Sequence, residues 1–339
     1  MKFDPQKLYK IELHVHLDCS LSYDVVAQLR PGIGYQQYKD EFIAPEKCRD
    51  LSEFLTRAPA GFQLMQSRAA LRAVVFDLFF QFERDNVIYA EIRYAPLLHC
   101  EGGLHPEEVV EIVNEAAAEA CSKTGVQYGI IISTVRRHST EQSLETAELA
   151  IKYRSEGVVG MDIAGDEAGY SLAAHIPAFK LAQEHGLPRT AHAGEALGPE
   201  SIIETLDNLD PSRLGHGVRC VENEELMAHL RDHEILLEIC PSCNVQINVF
   251  STLAQHPVDK IYRYGIPLSI NTDARTITHV TLSSEYDRLA QTFGWTPIDF
   301  HLMNTQALQA AFVTDAMRQS LLTKLNSSYA HLDSGPVSI

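Results

Sequence analysis

Short apolar runs alternate with amphipathic stretches along most of the chain. Each run has four to eight residues, which is too short for a buried helix, and many runs are rich in β-branched side chains. Runs of this kind are typical of strands that are buried on both faces. We predict eight strands, over Ile11–Val15, Val87–Tyr94, Val126–Ile132, Val158–Ile163, Pro188–Ala193, Arg213–Val218, Ile235–Ile239 and Pro267–Ile270.

Helix start and stop signals lie between these runs. Regular alternation of strands and helices predicts a parallel sheet, and eight such units favour an α/β fold of the (β/α)₈ TIM-barrel type. A doubly wound open sheet would more often carry a glycine-rich first turn, and the chain has no GxGxxG or Walker sequence. The signals are a helix from Pro106 to Gly125, a capping box of Ser139 and Gln142, and helix boundaries at Gly186 and Pro199.

The segment from Arg30 to Ala70 is too long for a simple connection between a strand and a helix. We expect it to form extra helices that cover the C-terminal face of the barrel, where an active-site lid would lie. Barrels of 339 residues need not be divided, so residues 1–339 are predicted to form one catalytic domain. Only the end of the chain, around Asp333–Ile339, has the composition of a loose tail.

Charge and composition exclude several kinds of partner. The formal charge of −17 repels a phosphate backbone, and no basic stripe is present, so nucleic acid is not expected to bind. No apolar stretch is long enough to span a membrane, and the N-terminus lacks the apolar core of a signal peptide. The seven cysteines are scattered through a chain that needs no disulfides. We therefore expect a cytoplasmic enzyme with a small-molecule substrate.

Polar side chains cluster where the predicted strands end, and in a barrel that rim carries the chemistry. The period of two in a strand places the imidazoles of His14 and His16 on one face, about 6.5–7 Å apart along the backbone. His192 and Asp273 follow other strands and can complete a ligand set. Three imidazoles and one carboxylate suit zinc and would also accept cobalt, iron or manganese. Glu195 and His216 lie at neighbouring strand ends.

Each candidate also has a purely structural explanation. Asp273 could be only a helix N-cap, and the histidines of the first strand could be a partly exposed strand end. The stretch from Cys240 to Cys243 has no second cysteine pair, so we interpret it as a turn after the seventh strand rather than as a structural zinc site. Seven histidines are expected to be ordinary polar residues outside the site: His99, His105, His138, His185, His229, His233 and His256.

Taken together, six segments resemble the adenosine deaminase family of the amidohydrolase superfamily. The segments HVHLD, GMDIAGDE, TAHAGE, RLGHGV, EICPSCNVQ and SINTD occur in that family's order and at roughly its spacing, between residues 11 and 275. The resemblance implies one Zn²⁺ per chain, held by His14, His16, His192 and Asp273. It further implies hydrolytic removal of the 6-amino group from adenosine or 2′-deoxyadenosine, with release of ammonia.

The same matching implies roles for individual residues. Glu195 corresponds to the acid that protonates purine N1, and His216 to the base that orients and deprotonates the attacking water. Asp273 helps to direct that attack. The remaining matched residues correspond to substrate contacts. The backbone of Gly165 corresponds to the contact with purine N3, Asp18 to the acceptor for the ribose 5′-hydroxyl, and His16 to a substrate contact beside the metal. Leu51, Phe54 and Leu55 correspond to an apolar lid, although their helical spacing is equally typical of core packing.

Two positions depart from the family pattern. The second aspartate that contacts purine N7 in the family's best-known members is Ala274 here, and Cys19 replaces a glycine that usually follows HxHLD. Ala274 leaves the identity of the purine open, and Arg275, Asn271 or a water could fill the missing contact. We have no physical account of Cys19 from the sequence.

Three other functions stay open at this stage. The substrate could be adenine or another 6-aminopurine nucleoside. A catalytically silent metal-binding barrel would need neither Glu195 nor His216. An amide or phosphoester hydrolase of this superfamily usually has a second metal bridged by a lysine after the fourth strand, where this chain has Asp162 and Gly165 and no lysine. The HxE–PCxxC and HExxH zinc motifs are also absent.

Overall fold

The computed structural model describes residues 4–330, and its strands are all parallel. They form two four-stranded sheets in which each strand pairs with the next one in the sequence. The first sheet contains β1 (Lys10–His16), β2 (Val87–Tyr94), β3 (Gln127–Val135) and β4 (Val158–Ala164), and the second contains β5 (Thr190–Ala193), β6 (Arg213–His216), β7 (Leu236–Ile239) and β8 (Leu268–Ile270).

Backbone bridges connect the two sheets at both of their junctions. Between β4 and β5, the N–H of Met161 donates to the carbonyl of Pro188 (3.0 Å). Between β8 and β1, the N–H of His16 donates to the carbonyl of Asp273 (2.8 Å), and the N–H of Asp273 donates to that of His14 (3.0 Å). The eight strands therefore follow one another in the order of a (β/α)₈ barrel, as the alternation of elements predicts.

Helices separate the strands and also fill the long segment after β1. The helix over residues 106–124 ends at Gly125, whose φ of 73° suits a glycine C-cap, and the predicted capping box of Ser139 and Gln142 is present. The helices are α1 (Tyr23–Leu29), α2 (Tyr35–Phe42), α3 (Leu51–Leu55), α4 (Ala58–Leu64), α5 (Arg68–Arg84), α6 (Pro106–Thr124), α7 (Thr140–Lys152), α8 (Ile176–Glu184), α9 (Pro199–Leu209), α10 (Glu224–Asp232), α11 (Pro241–Gln246), α12 (Val258–Tyr264), α13 (Leu282–Phe293), α14 (Pro297–Ala310) and α15 (Asp315–Tyr329).

Several predicted boundaries differ from the observed ones. β3 continues three residues beyond its predicted end, to Val135, because it stays paired with β4 over that length. β6 ends at His216, two residues early, because Gly217 turns the backbone into the left-handed region (φ 66°). The interpretation of residues 240–243 as a turn is wrong. Pro241 begins the short helix α11, which fits the preference of proline for the first helical turn.

The interior of the barrel contains buried charges as well as apolar side chains. Arg213 donates to Glu238 (2.8 Å) and also pairs with Glu91, while Arg93 donates to Glu238 (2.7 Å). All four side chains are buried. Removing one partner of such a network leaves an uncompensated charge, which costs about 3–5 kcal/mol. The network therefore holds β2, β6 and β7 in a fixed arrangement below the rim.

Three further expectations concern membrane-spanning helices, the cysteines and the C-terminal tail. In the part of the chain that the structure describes, no helix combines the length and the apolar character that a membrane span requires. All seven cysteines are free thiols. The predicted tail around residues 333–339 lies outside the described residues.

Candidate metal centre and reaction pocket

Four side chains converge at the C-terminal rim of the barrel. His14 and His16 come from β1 and His192 from β5, while Asp273 follows β8. The Nε2 atoms of His16 and His192 are 3.2 Å apart, and Asp273 Oδ1 lies 3.3 Å from His16 Nε2 and 3.4 Å from His14 Nε2. One potential ligand atom from each of the four lies within 4.8 Å of all the others. The predicted ligand set is thus brought together, although its members are up to 259 positions apart in the sequence.

Buried carboxylates orient two of these imidazoles. His14 Nδ1 lies 3.0 Å from Glu238 Oε2, and His192 Nδ1 lies 3.1 Å from Asp162 Oδ1. Burial opposes the charge of Glu238, but the guanidinium groups of Arg93 and Arg213 hold its pKa well below the usual range. Each ring therefore directs its Nε2 towards the centre of the cluster, and the buried Nε2 of His14 has no hydrogen-bond partner among the described residues. Imidazoles oriented in this way by outer carboxylates suit a divalent metal such as zinc.

Glu195 and His216 lie side by side next to the four ligand candidates. Glu195 Oε1 is 3.5 Å from His216 Nδ1, and Asn244 Nδ2 lies within reach of both, at 3.3 and 3.1 Å respectively. His216 Nε2 has no hydrogen-bond partner in the described part of the chain and lies 3.9 Å from Asp273 Oδ2. Burial, followed by the charges of Asp273 and Glu167, raises the pKa of the Glu195 carboxyl well above its usual range. This carboxyl is therefore suited to hold a proton.

The carboxylate of Glu167 organises the loop that carries Glu195. The loop follows β5 and turns back towards α9, so several of its backbone N–H groups point inwards. Because a carboxylate has two oxygens and about four acceptor sites, one side chain can satisfy all of these groups. Glu167 accepts from the N–H groups of Gly194 (2.7 Å), Glu195 (3.0 Å), Ala196 (2.6 Å) and Leu197 (3.0 Å), and from the hydroxyl of Ser201 (2.5 Å).

Two of the candidate catalytic residues have an uncommon backbone conformation. His216 and Asp273 both adopt φ of 61°, in the left-handed region that disfavours side chains with a Cβ. Backbone strain of this kind costs of order 1–3 kcal/mol and is concentrated at functional sites. Here it turns both side chains from the ends of β6 and β8 into the cluster.

A small cavity of about 50 Å³ lies between the predicted lid residues and the four ligand candidates. Leu51, Phe54 and Leu55 from α3 line it together with Gly165, Glu195 and His216. Gly165 has φ of 102°, and an added Cβ would approach Val135 to 3.0 Å, so only glycine fits here without strain. The segment between residues 30 and 70 therefore forms helices over the reaction pocket, as predicted.

Asp18 lies at one side of this pocket, beside a buried histidine. Its Oδ2 is 3.7 Å from His99 Nε2, and burial, which would raise the pKa of Asp18, is outweighed by His99, so that its pKa is lowered. The sequence predicts an ordinary polar role for His99, and the structure adds that it lies beside Asp18. His256, with the same prediction, lies 3.2 Å from Asn244 Oδ1 through its Nε2.

The surroundings of Ala274 are apolar. Ala274 is buried in one cluster with Leu51, Phe54 and Ile277. The two polar neighbours that could replace the missing aspartate, Arg275 and Asn271, both make other hydrogen bonds. Arg275 is turned away and donates to Glu12 (3.1 Å) and Asp85 (2.8 Å).

The side chain of Asn271 is also engaged in hydrogen bonds to other groups. Its Oδ1 accepts from the N–H groups of Leu13 and His14, at 2.8 and 3.2 Å, and its Nδ2 donates to Ser269 Oγ at 2.9 Å. Cys19, the second departure, lines the reaction pocket, and its carbonyl accepts from the N–H of Thr276 at 3.0 Å.

Four residues near the reaction centre had no role predicted from the sequence: Asp162, Glu167, Glu238 and Asn244. All four lie inside segments that carry the family resemblance, GMDIAGDE and EICPSCNVQ, so those segments were the available signal. The segments alone indicate neither the partner of each side chain nor its direction.

A parallel barrel with a rim cluster of three imidazoles and a carboxylate, beside a buried acid and a fourth histidine, defines a metal-dependent hydrolase of the amidohydrolase type. Comparison with known sequences is specific about the family. Residues 9–328 match the adenosine deaminase family profile. The chain is 32% identical to the adenosine deaminase of Clostridium acetobutylicum, over 94% of this chain and 97% of that protein. The chain belongs to the adenosine deaminase family, whose members are hydrolytic deaminases acting on C–N bonds.

Solved structures give the same result for the fold. An N6-mAMP deaminase from Arabidopsis superimposes with a TM-score of 0.85 at 25% identity, over 95% of this chain and 98% of that one. An amidohydrolase from Burkholderia ambifaria, solved with bound zinc, superimposes with a TM-score of 0.87 at 20% identity, over 97% of this chain and 94% of that one. At 20% identity, the comparison with the Burkholderia ambifaria protein supports the fold alone.

Proposed function

We propose that this protein deaminates adenosine and 2′-deoxyadenosine at C6, giving inosine or 2′-deoxyinosine and ammonia, with one Zn²⁺ per chain. The proposal treats the whole chain as one catalytic domain, because the site takes side chains from both sheets. The free thiols of all seven cysteines are compatible with a reducing cytoplasm, where we place the enzyme.

The adjacency of Glu195 and His216 to the ligand cluster carries the proposal. Their side chains are 3.5 Å apart, and both line the cavity above the metal ligands. A barrel that only binds a metal needs no buried acid and base at this position. Hydrolysis at an aromatic carbon needs both, since the ring nitrogen must gain a proton while water adds at C6.

His14, His16, His192 and Asp273 would hold the zinc. The metal, when bound, supplies Lewis acidity, which makes water a competent nucleophile near neutral pH. The absence of a lysine after β4 supports one metal rather than two.

The chain's own groups move the protons. Glu195 keeps its carboxyl protonated through burial and donates that proton to purine N1, which makes C6 electrophilic. His216 accepts a proton from the attacking water through Nε2, the nitrogen that has no hydrogen-bond partner in the described part of the chain. As the C6–N6 bond breaks, the amino group takes up the proton held by His216 and leaves as ammonia, and the proton of the C6 hydroxyl restores the Glu195 carboxyl. Asp273 fixes the direction of attack from beside His216.

The substrate contacts follow the cavity walls. The backbone of Gly165 faces purine N3, Asp18 accepts from the ribose 5′-hydroxyl, and His16 flanks the bound substrate. Leu51, Phe54 and Leu55 exclude water by closing over the ring.

An ammonia-release assay over adenosine, deoxyadenosine, adenine, AMP and guanosine tests the function. We expect adenosine and deoxyadenosine to give the highest kcat/KM. Glu195→Gln keeps the shape of the acid but cannot supply its proton, so it should retain one zinc per chain and lose several orders of magnitude in turnover. A preference for free adenine would overturn the nucleoside assignment, and only a mild loss in Glu195→Gln would place the acid elsewhere.

A further inference from the structure

A larger chamber adjoins the reaction pocket on the side of Asp18. Its volume is about 310 Å³, and it shares His16, Cys19, Leu55 and Gly165 with the pocket above the metal ligands. A volume of this size is at the lower end for sites that enclose a small molecule. The two cavities are therefore direct neighbours that share part of their walls.

The chamber is lined by the loops after three neighbouring strands. Asp18 follows β1, Ala95 and Leu98 follow β2, and Arg137 follows β3. Adjacent strands are about 4.8 Å apart, so β1 and β3, which Asp18 and Arg137 follow, are separated by roughly 10 Å with the apolar loop of β2 between them. From β1 to β3, the lining therefore passes from the acidic Asp18 through apolar side chains to the basic Arg137.

The remaining wall is also mainly apolar. Helices α3 and α4 contribute Leu55, Ala58, Pro59 and Phe62, and Ser52 and Thr56 add two hydroxyl groups to the same wall. The ribose of a nucleoside carries hydroxyl groups, which the four apolar side chains cannot hydrogen-bond. An apolar group attached beyond the ribose would gain about 25 cal/mol for each Å² of apolar surface that it buries here.

Arg137 is the cationic group of this chamber. It is exposed, and among the described residues it forms no hydrogen bond or ion pair. The adjacent Arg136 differs, because it is buried and donates to the carbonyl of His192 (3.0 Å). Asp166 is the other acid in the lining besides Asp18, and its Oδ1 accepts from the N–H of Gly169 (3.0 Å).

We propose that the chamber binds an apolar substituent on the 5′ carbon of the adenosine substrate, and that Arg137 binds an anionic group at the far end of that substituent. This inference rests on the proposed function and narrows its substrate class. A phosphate directly on the 5′ carbon does not fit as well, because it would lie beside the Asp18 carboxylate. The anion has to be carried past Asp18 on an arm of about two strand spacings, roughly 10 Å.

Two matched thioethers test the chamber. The neutral probe is 5′-deoxy-5′-(benzylthio)adenosine, and the anionic probe carries a carboxylate at the para position of the same ring. We expect both to be deaminated with kcat/KM at least equal to that of adenosine, and the anionic probe to exceed the neutral one by roughly two- to fivefold, the value of an ion pair with an exposed guanidinium. In Arg137→Gln this ratio should fall to about one, while the neutral probe serves as the internal control for folding.

Arg84→Gln is the matched control variant. Arg84 is exposed at the end of α5, immediately before β2 and thus at the opposite end of the barrel, so the ratio should stay at its wild-type value. Binding of both thioethers to Glu195→Gln, measured by calorimetry, reads out the chamber without chemistry. Turnover of adenosine with no binding of either thioether would overturn the chamber and leave the proposed function standing. A preference for AMP over the carboxybenzyl probe would also overturn it, whereas thioether binding without deamination of any purine would overturn the proposed function alone.

Discussion

Glu167 accepts a hydrogen bond from the backbone N–H of Glu195 (3.0 Å), although the two residues belong to loops after different strands. The candidate acid is thus positioned through its main chain by a second acid. This separates two tasks, since Glu167 holds the loop and leaves the Glu195 side chain free to face the substrate.

Glu167→Gln tests that positioning. The amide has one acceptor oxygen, and its NH₂ group would oppose backbone N–H donors, so at least one buried N–H loses its partner at a cost of about 1–3 kcal/mol. If the lost hydrogen bond destabilises the transition state by this amount, kcat drops by roughly 5- to 150-fold while the zinc content is unchanged. Steady-state kinetics with elemental analysis measures both, and Glu184→Gln on the surface of α8 is the control. A kcat within twofold of wild type would show that the loop is held without Glu167.

Asp162→Asn should weaken metal binding without removing a ligand. Asp162 accepts from His192 Nδ1 (3.1 Å), and replacing such outer carboxylates typically reduces metal affinity 10- to 100-fold. Competition with a graded series of chelators measures the affinity, and Asp207→Asn, an exposed change on α9, should leave it unaltered. Equal affinities in Asp162→Asn and wild type would mean that the ring of His192 is oriented by other contacts.

The apolar surroundings of Ala274 predict tolerance of a purine that lacks N7. Since Arg275 and Asn271 are both engaged elsewhere, 7-deazaadenosine should approach adenosine in kcat/KM. Ala274→Asp should restore discrimination, because a contact to N7 is worth about 1–3 kcal/mol, or roughly 5- to 150-fold. If the wild-type enzyme prefers adenosine by more than about 100-fold, near the upper limit of one hydrogen bond, an ordered water fills the gap.

These predictions depend unequally on sequence and structure. The pair His14 and His16 could be placed on one strand face from spacing alone, since a period of two admits no other arrangement. Asp273 could be placed at a strand end, but its left-handed φ, which turns it into the cluster, has no counterpart in the sequence.

Beyond the ligand set, the contacts that His99 and Asn244 make with distant elements could not be predicted. His99 follows β2 and reaches Asp18 after β1, and a lone histidine after an apolar run looks the same whether it faces solvent or a carboxylate. Asn244 lies on α11, where the sequence predicted a turn, and this helix brings its side chain within hydrogen-bonding distance of Glu195 and His216.

Stability should depend on pH through Glu285, which is buried on α13. Burial raises the pKa of its carboxyl to about 7, although hydrogen bonding from Ser242 and the charge of Arg288 oppose the shift. The folded state therefore holds this proton more tightly than the unfolded state, whose pKa is about 4.3. The free energy of unfolding should consequently fall as the pH rises from about 4.3 through 7, by roughly 4 kcal/mol in total.

Glu285→Gln cannot ionise and removes this dependence. Compared with wild type, the variant should unfold at higher denaturant concentration at pH 8 and at a similar concentration at pH 4.5. Glu225→Gln, an exposed change on α10, should behave like wild type at both pH values. A Glu285→Gln variant that is less stable at pH 8 would show that the carboxylate is a favourable partner of Arg288 rather than a buried cost.

The charge network inside the barrel has a consequence for how this sequence can change over time. Arg213 pairs with both Glu91 and Glu238, Arg93 also pairs with Glu238, and Glu238 orients the imidazole of His14. Apolar replacement of all four charges is compatible with a stable core, but every single replacement leaves a buried charge uncompensated, at about 3–5 kcal/mol. A lineage that starts from this chain must therefore cross an unstable intermediate or exchange several positions together. Among its descendants, these four positions should vary jointly or not at all.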